Sequence, residues 1–169
     1  GFVITPALLS RRYGWATGAI ALLMMPRPGA FSAASLVGGW LPQRIGYRWP
    51  VMLGALFMSG SMVAFIFASP TTGAVGITLI VAGLLLSGIA SGVSQPAIAA
   101  LSVDSVDEAD MGIANGMNQQ MTFAGIVAGI QTMNVLIGDS DASGRFVWTY
   151  VVGLGATIIA LLAASAIRD

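Results

Sequence analysis

The stretch Gly39-Trp-Leu-Pro-Gln-Arg-Ile-Gly-Tyr-Arg48 decides how this chain is laid out, because it is a short charged connection set between two long apolar runs. Arg44 and Arg48 carry fixed charge, and a guanidinium at the centre of a bilayer costs at least about 3 kcal/mol. Gly46 permits the positive φ that a tight reversal needs. The segment therefore reads as a loop outside the hydrocarbon that joins two membrane crossings.

Composition supports that reading for the whole chain. Of 169 residues, 56% are hydrophobic and 8% charged, and the mean hydropathy is +0.86. A soluble globule of this size needs far more polar surface, so the expected class is an all-α membrane protein in contact with the lipid bilayer. Seven Arg balance seven acids and there is no Lys, which leaves no basic field to bind nucleic acid. The absence of Cys and His removes disulfides, thiol nucleophiles and the usual zinc ligands, and no acidic loop has calcium-binding spacing. No nucleophile and base pair or phosphate loop can be assembled, so neither an enzyme nor a cofactor or metal is expected. The chain opens inside an apolar run with no basic segment ahead of it, unlike a signal peptide, and reads as the tail of a longer protein.

Apolar runs divided by polar turns predict a truncated crossing over about 1–9 and complete crossings over about 17–40, 50–68, 75–100, 111–137 and 146–167. Each complete run has about the 20 residues needed to span roughly 30 Å at 1.5 Å per residue. Every Trp and Tyr falls near a predicted span end, as interfacial aromatics do. Orientation is not decided by charge, since alternation sets Arg44, Arg48 and Arg168 against Arg11, Arg12 and Arg145.

Within the spans, Pro26 and Pro28 predict a kink in the first, and Gly83, Ser87, Ser91, Gly88 and Gly92 predict close helix approach in the third. Arg27 is the one ionisable residue inside a complete span. It either faces a central cavity or bonds carbonyls freed by the prolines. Asn115, Asn118 and Thr122 share a face of the fourth span, with Gln119 at its edge and Gly125 and Gly129 beyond. Together with Gln95 they either line a solute path or link helices by hydrogen bonds. Asp104, Asp107, Glu108 and Asp110 fall on the same side as Arg44 and Arg48, as a charge network between loops or as solvated charges.

The 39–48 stretch also resembles the loop between the second and third helices of each half in the major facilitator superfamily, Gly-x-Leu-x-Asp-Arg-x-Gly-x-Arg. Gly39, Leu41, Arg44, Gly46 and Arg48 fall on that pattern, while Gln43 stands where Asp is usual. Leu23-Met-Met-Pro-Arg-Pro28 is similar to the Leu-Pro-Arg-Gly element of the 14-helix drug:proton antiporters, and Met111-Gly-Ile-Ala-Asn-Gly-Met117 to their penultimate helix. The resemblance implies the C-terminal six-helix half of such a transporter, its first helix truncated, rocking against a missing N-terminal half around a midplane site for a small-molecule substrate. Multidrug efflux driven by the proton gradient is the implied activity, in a cell membrane, namely a bacterial inner membrane. In that scheme Arg27, Gln95, Asn115, Asn118, Gln119 and Thr122 are cavity candidates. Gly39, Arg44, Gly46 and Arg48 belong to a cytoplasmic gate loop. No predicted crossing holds Asp or Glu, so a proton carrier is expected in the missing part. A metabolite or sugar facilitator of the same fold, or a non-transporting membrane module, is the alternative reading.

Overall fold

The computed structural model describes residues 5–6, 9–10, 14, 16–71, 73–137 and 143–166. Most of the partial crossing at 1–9, the Arg11-Arg12 pair, the 138–142 connection and Arg168 lie outside the described residues. The described chain is helical without strands: α1 (Thr17–Met24), α2 (Pro26–Trp40), α3 (Pro42–Ile45), α4 (Arg48–Ala68), α5 (Gly73–Asp104), α6 (Met111–Ile137) and α7 (Ser143–Ser165). A short 3₁₀ turn, Glu108–Asp110, precedes α6.

Two features mark the first crossing. The helical run over 17–40 is interrupted at Met25, as the prolines predict, because Pro26 has no N–H to continue the ladder and instead opens α2 at its first position. The reversal is also shorter than the ten residues 39–48. Gly39 and Trp40 remain inside α2, Pro42 starts the single turn α3, and the chain turns at Gly46, whose φ is +78°. Glycine reaches that angle without the steric cost of a Cβ, which suits Gly46 to end the helical run.

Among the described residues, four helical segments are long and apolar enough to cross a membrane: Thr17–Ile45, Arg48–Ala68, Gly73–Asp104 and Gly144–Ser165. The remaining predicted crossing, α6, has the length at 27 residues, or about 40 Å, and its apolar run is interrupted by amides. Asn115, Asn118, Gln119, Gln120, Gln131 and Asn134 dilute it.

Helix α5 is the hub. In lipid no hydrophobic force draws one helix onto another, so contact rests on close packing and interhelical hydrogen bonds. The small residues of α5 supply both. A Cβ at Gly88 would lie 2.5 Å from Arg27 O, and one at Gly92 would lie 2.6 Å from Phe31 O and 2.7 Å from Ala34 Cβ. Gly38 answers from α2, where a Cβ would come within 2.8 Å of Val93 Cα. The sequence numbers rise together across this contact, so α2 and α5 run parallel.

Helix α4 packs antiparallel on the other side of α5. Gly54 faces Ala90 and Ser94, the Phe65 ring covers Gly83, and Ser61 Oγ donates to Gly83 O at 2.7 Å. Phe65 also stacks on Tyr150 of α7, with ring centroids 5.1 Å apart, inside a core that includes Met62, Ile80, Leu84 and Phe146. Ser59 Oγ donates to Thr157 Oγ1 at 3.0 Å, linking α4 to α7. Within α5 itself, Ser87, Ser91 and Ser94 donate back to Leu84 O, Ser87 O and Ala90 O, and Pro96 interrupts the ladder one turn later.

Candidate functional site

Next to Pro96 a cavity of about 440 Å³ opens between α2, α5 and α6. Pro96 cannot donate to Gly92 O, and the close pass of Gly38 over Gly92 covers the carbonyl that is released. Above this point Gln95, Pro96, Ile98 and Ala99 form one wall, and Phe31 of α2 closes a second.

The third wall is the polar stripe of α6. Asn115, Asn118, Gln119 and Thr122 are spaced at three and four residues and all border the cavity, with Phe123 beside them. Asn118 is half-buried, whereas Asn115, Gln119 and Thr122 are exposed on the open side. Thr122 Oγ1 donates to Asn118 O at 2.9 Å, which fixes the hydroxyl against its own helix and leaves its lone pairs turned outward. The structure thus brings five of the six cavity candidates to one place. Gln95 stands nine residues before the end of α5, about 14 Å from the acidic loop.

Arg27, the sixth candidate, is not among the described residues that line this cavity. Its backbone carbonyl faces Gly88, seven residues and about 10 Å along α5 from Gln95. Phe31, one turn further on α2, takes the position that Arg27 was expected to hold. Neither Phe31 nor Phe123 carries a sequence signal, since a Phe in an apolar run looks like any other packing residue.

At the end of the bundle nearest the cavity, the gate-loop residues are spread over three local structures. Gly39 lies in α2 with open space around it, Arg44 sits over the Trp40 ring at 5.0 Å from its centroid, Gly46 makes the turn, and Arg48 begins α4. The cation–π contact keeps the guanidinium at the interface, where Trp also prefers to lie. Between the loop and the acidic segment, the Tyr47 hydroxyl donates to Asp104 Oδ2. The sequence offered Arg44 and Arg48 as partners for those acids, and Tyr47 was legible only as an interfacial aromatic.

The hydrogen bond to the Asp104 carboxylate, with its negative charge, raises the Tyr47 pKa above the ordinary 10.0. The bond holds while the phenol keeps its proton. Its contribution is therefore present below pH 10 and lost as pH rises through the higher folded-state value. In a 295 nm absorbance titration, Tyr47→Phe should remove a component that ionises above 10.0. Loss of a component ionising at or below that value would mean the bond is not made.

Comparison with curated proteins and with solved structures gives no match. The profile of the Major Facilitator Superfamily matches residues 1–168, nearly the whole chain. A multi-helix chain with four segments fit to cross a membrane, packed around small residues and covered end to end by that profile, belongs to the major facilitator superfamily, a family of transporters.

Proposed function

We propose that this chain forms the C-terminal part of a secondary transporter, of the drug:proton antiporter kind, in which solute passes along the cavity between α2, α5 and α6. The observation that supports this reading is the convergence of Gln95, Asn115, Asn118, Gln119 and Thr122 on one cavity of about 440 Å³, within the size range of small-molecule sites. Amides facing lipid would be penalised, whereas amides facing a wetted path are satisfied by water or solute. Tyr47 and Asp104 tie the turn at Gly46 to the end of α5, so their bond holds the loops together on the side nearest the cavity. Parting and re-forming that link is the local event that accompanies opening of the path.

Proton coupling draws on a titratable group outside this chain's crossings, because no Asp or Glu lies within α1 to α3, α4, α6 or α7, and Asp104 is the last residue of α5. Cells that make the full-length protein should extrude the uncharged dye Nile red, and collapsing the proton gradient should stop them. Extrusion that continues without the gradient would rule out antiport, and no extrusion at all would rule out drug efflux.

A further inference from the structure

We infer that the cavity takes an uncharged planar solute that presents a hydrogen-bond donor and acceptor side by side, as a carboxamide, a lactam or a nucleobase edge does. The inference rests on the solute-path reading above and adds the chemical class. Gln95 on α5 and Asn115, Asn118 and Gln119 on α6 each offer one carbonyl acceptor and one NH₂ donor from the same planar group. An amide edge is the complement of another amide edge, and two such groups facing across a cavity select for solutes that carry both functions together.

The rest of the lining agrees with this class. Phe31 of α2 and Phe123 of α6 add two aromatic rings to the lining, surfaces on which a flat ring can stack. Among the described residues, no ionisable side chain borders the cavity. Arg27 lies at the level of Gly88, about 10 Å along α5, and Asp104 lies about 14 Å away in the other direction. A charged solute would leave water for this site without meeting an opposite charge, and that desolvation goes uncompensated. An uncharged amide leaves water and recovers its hydrogen bonds.

The test uses three probes of one shape and three charges: nicotinamide, nicotinate and 1-methylnicotinamide. In the full-length protein with other cysteines removed, Ala99→Cys places a thiol in the cavity wall without touching an amide. Nicotinamide should slow its alkylation by a neutral maleimide about threefold at roughly twice its Kd, the ratio that simple occupancy dictates. Nicotinate and 1-methylnicotinamide should not slow it at the same concentration. Adding Asn118→Asp should transfer protection to the cationic probe. Protection by a charged probe equal to that by nicotinamide, or by none of the three, overturns the inference and leaves the solute path standing. A thiol at position 99 that resists the maleimide altogether overturns the path itself, and the inference with it.

Discussion

Gly92→Leu is expected to drive α2 off α5 and to remove most of the folded protein from a detergent extract. At position 92 the first added carbon already meets Phe31 O at 2.6 Å, Ala34 Cβ at 2.7 Å and Ser35 N at 3.0 Å. All three atoms belong to α2, and none is the tip of a flexible side chain, so the helix as a whole has to move. Extra carbon in a packed interior ordinarily costs about 1–3 kcal/mol, and leucine puts four carbons where one does not fit, which places the loss at or above the upper end. The displaced residues include Phe31, so solute affinity should fall in whatever fraction still folds. Gly29→Leu is the control, because nothing lies within 4 Å of a Cβ there although it sits on α2, the helix that Gly92→Leu displaces. Thermal unfolding followed by size-exclusion yield in full-length protein reads both. A Gly92→Leu protein that unfolds at the unaltered temperature would mean that the helices do not touch at this level.

The double replacement Gln95→Met and Asn118→Leu should cut transport without lowering yield. Each change keeps side-chain size and removes one amide, and a neutral hydrogen bond contributes about 0.5–1.5 kcal/mol. Two lost together are about 1–3 kcal/mol, which corresponds to roughly fivefold to 150-fold in apparent affinity. Stability should hold, since Gln95 is exposed, Asn118 is half-buried and neither change enlarges the side chain much. The split between affinity and yield is what decides between a solute path and a helix-to-helix link. Weaker solute binding with full yield fits the cavity, whereas reduced yield with unchanged affinity in the folded fraction would make Gln95 and Asn118 packing residues.

What could be read ahead of the coordinates was whatever repeats along one helix. Gly83, Gly88 and Gly92 fall at intervals that only a close neighbour explains, and Asn115, Asn118 and Thr122 share a face by spacing alone. Relations between helices were not legible, because they depend on how far one rod slides against the next. Arg27 and Gln95 both lie inside crossings, yet their levels differ by about 10 Å once α2 and α5 are set parallel with Arg27 beside Gly88. Phe31 becomes a cavity wall by the same sliding. The amides that mark α6 in the sequence are in part the ones that border the cavity, while Gln120, Gln131 and Asn134 lie outside its described lining. Tyr47 escaped because a phenol beside a turn has many uses, and its partner is 57 residues away in sequence.

The run of serines that donate to their own helix, followed by Pro96, has a mechanical meaning for α5. A straight rod resists flexing because each backbone bond must stretch, but at Pro96 the bond to Gly92 O does not exist, and the carbonyls of Leu84, Ser87 and Ala90 already share their lone pairs with hydroxyls. The compliant part of the central rod therefore coincides with the wall that carries Gln95. Tilting the end of α5 that bears Asp104 can widen or narrow the space around a guest while the glycine seam below stays clamped.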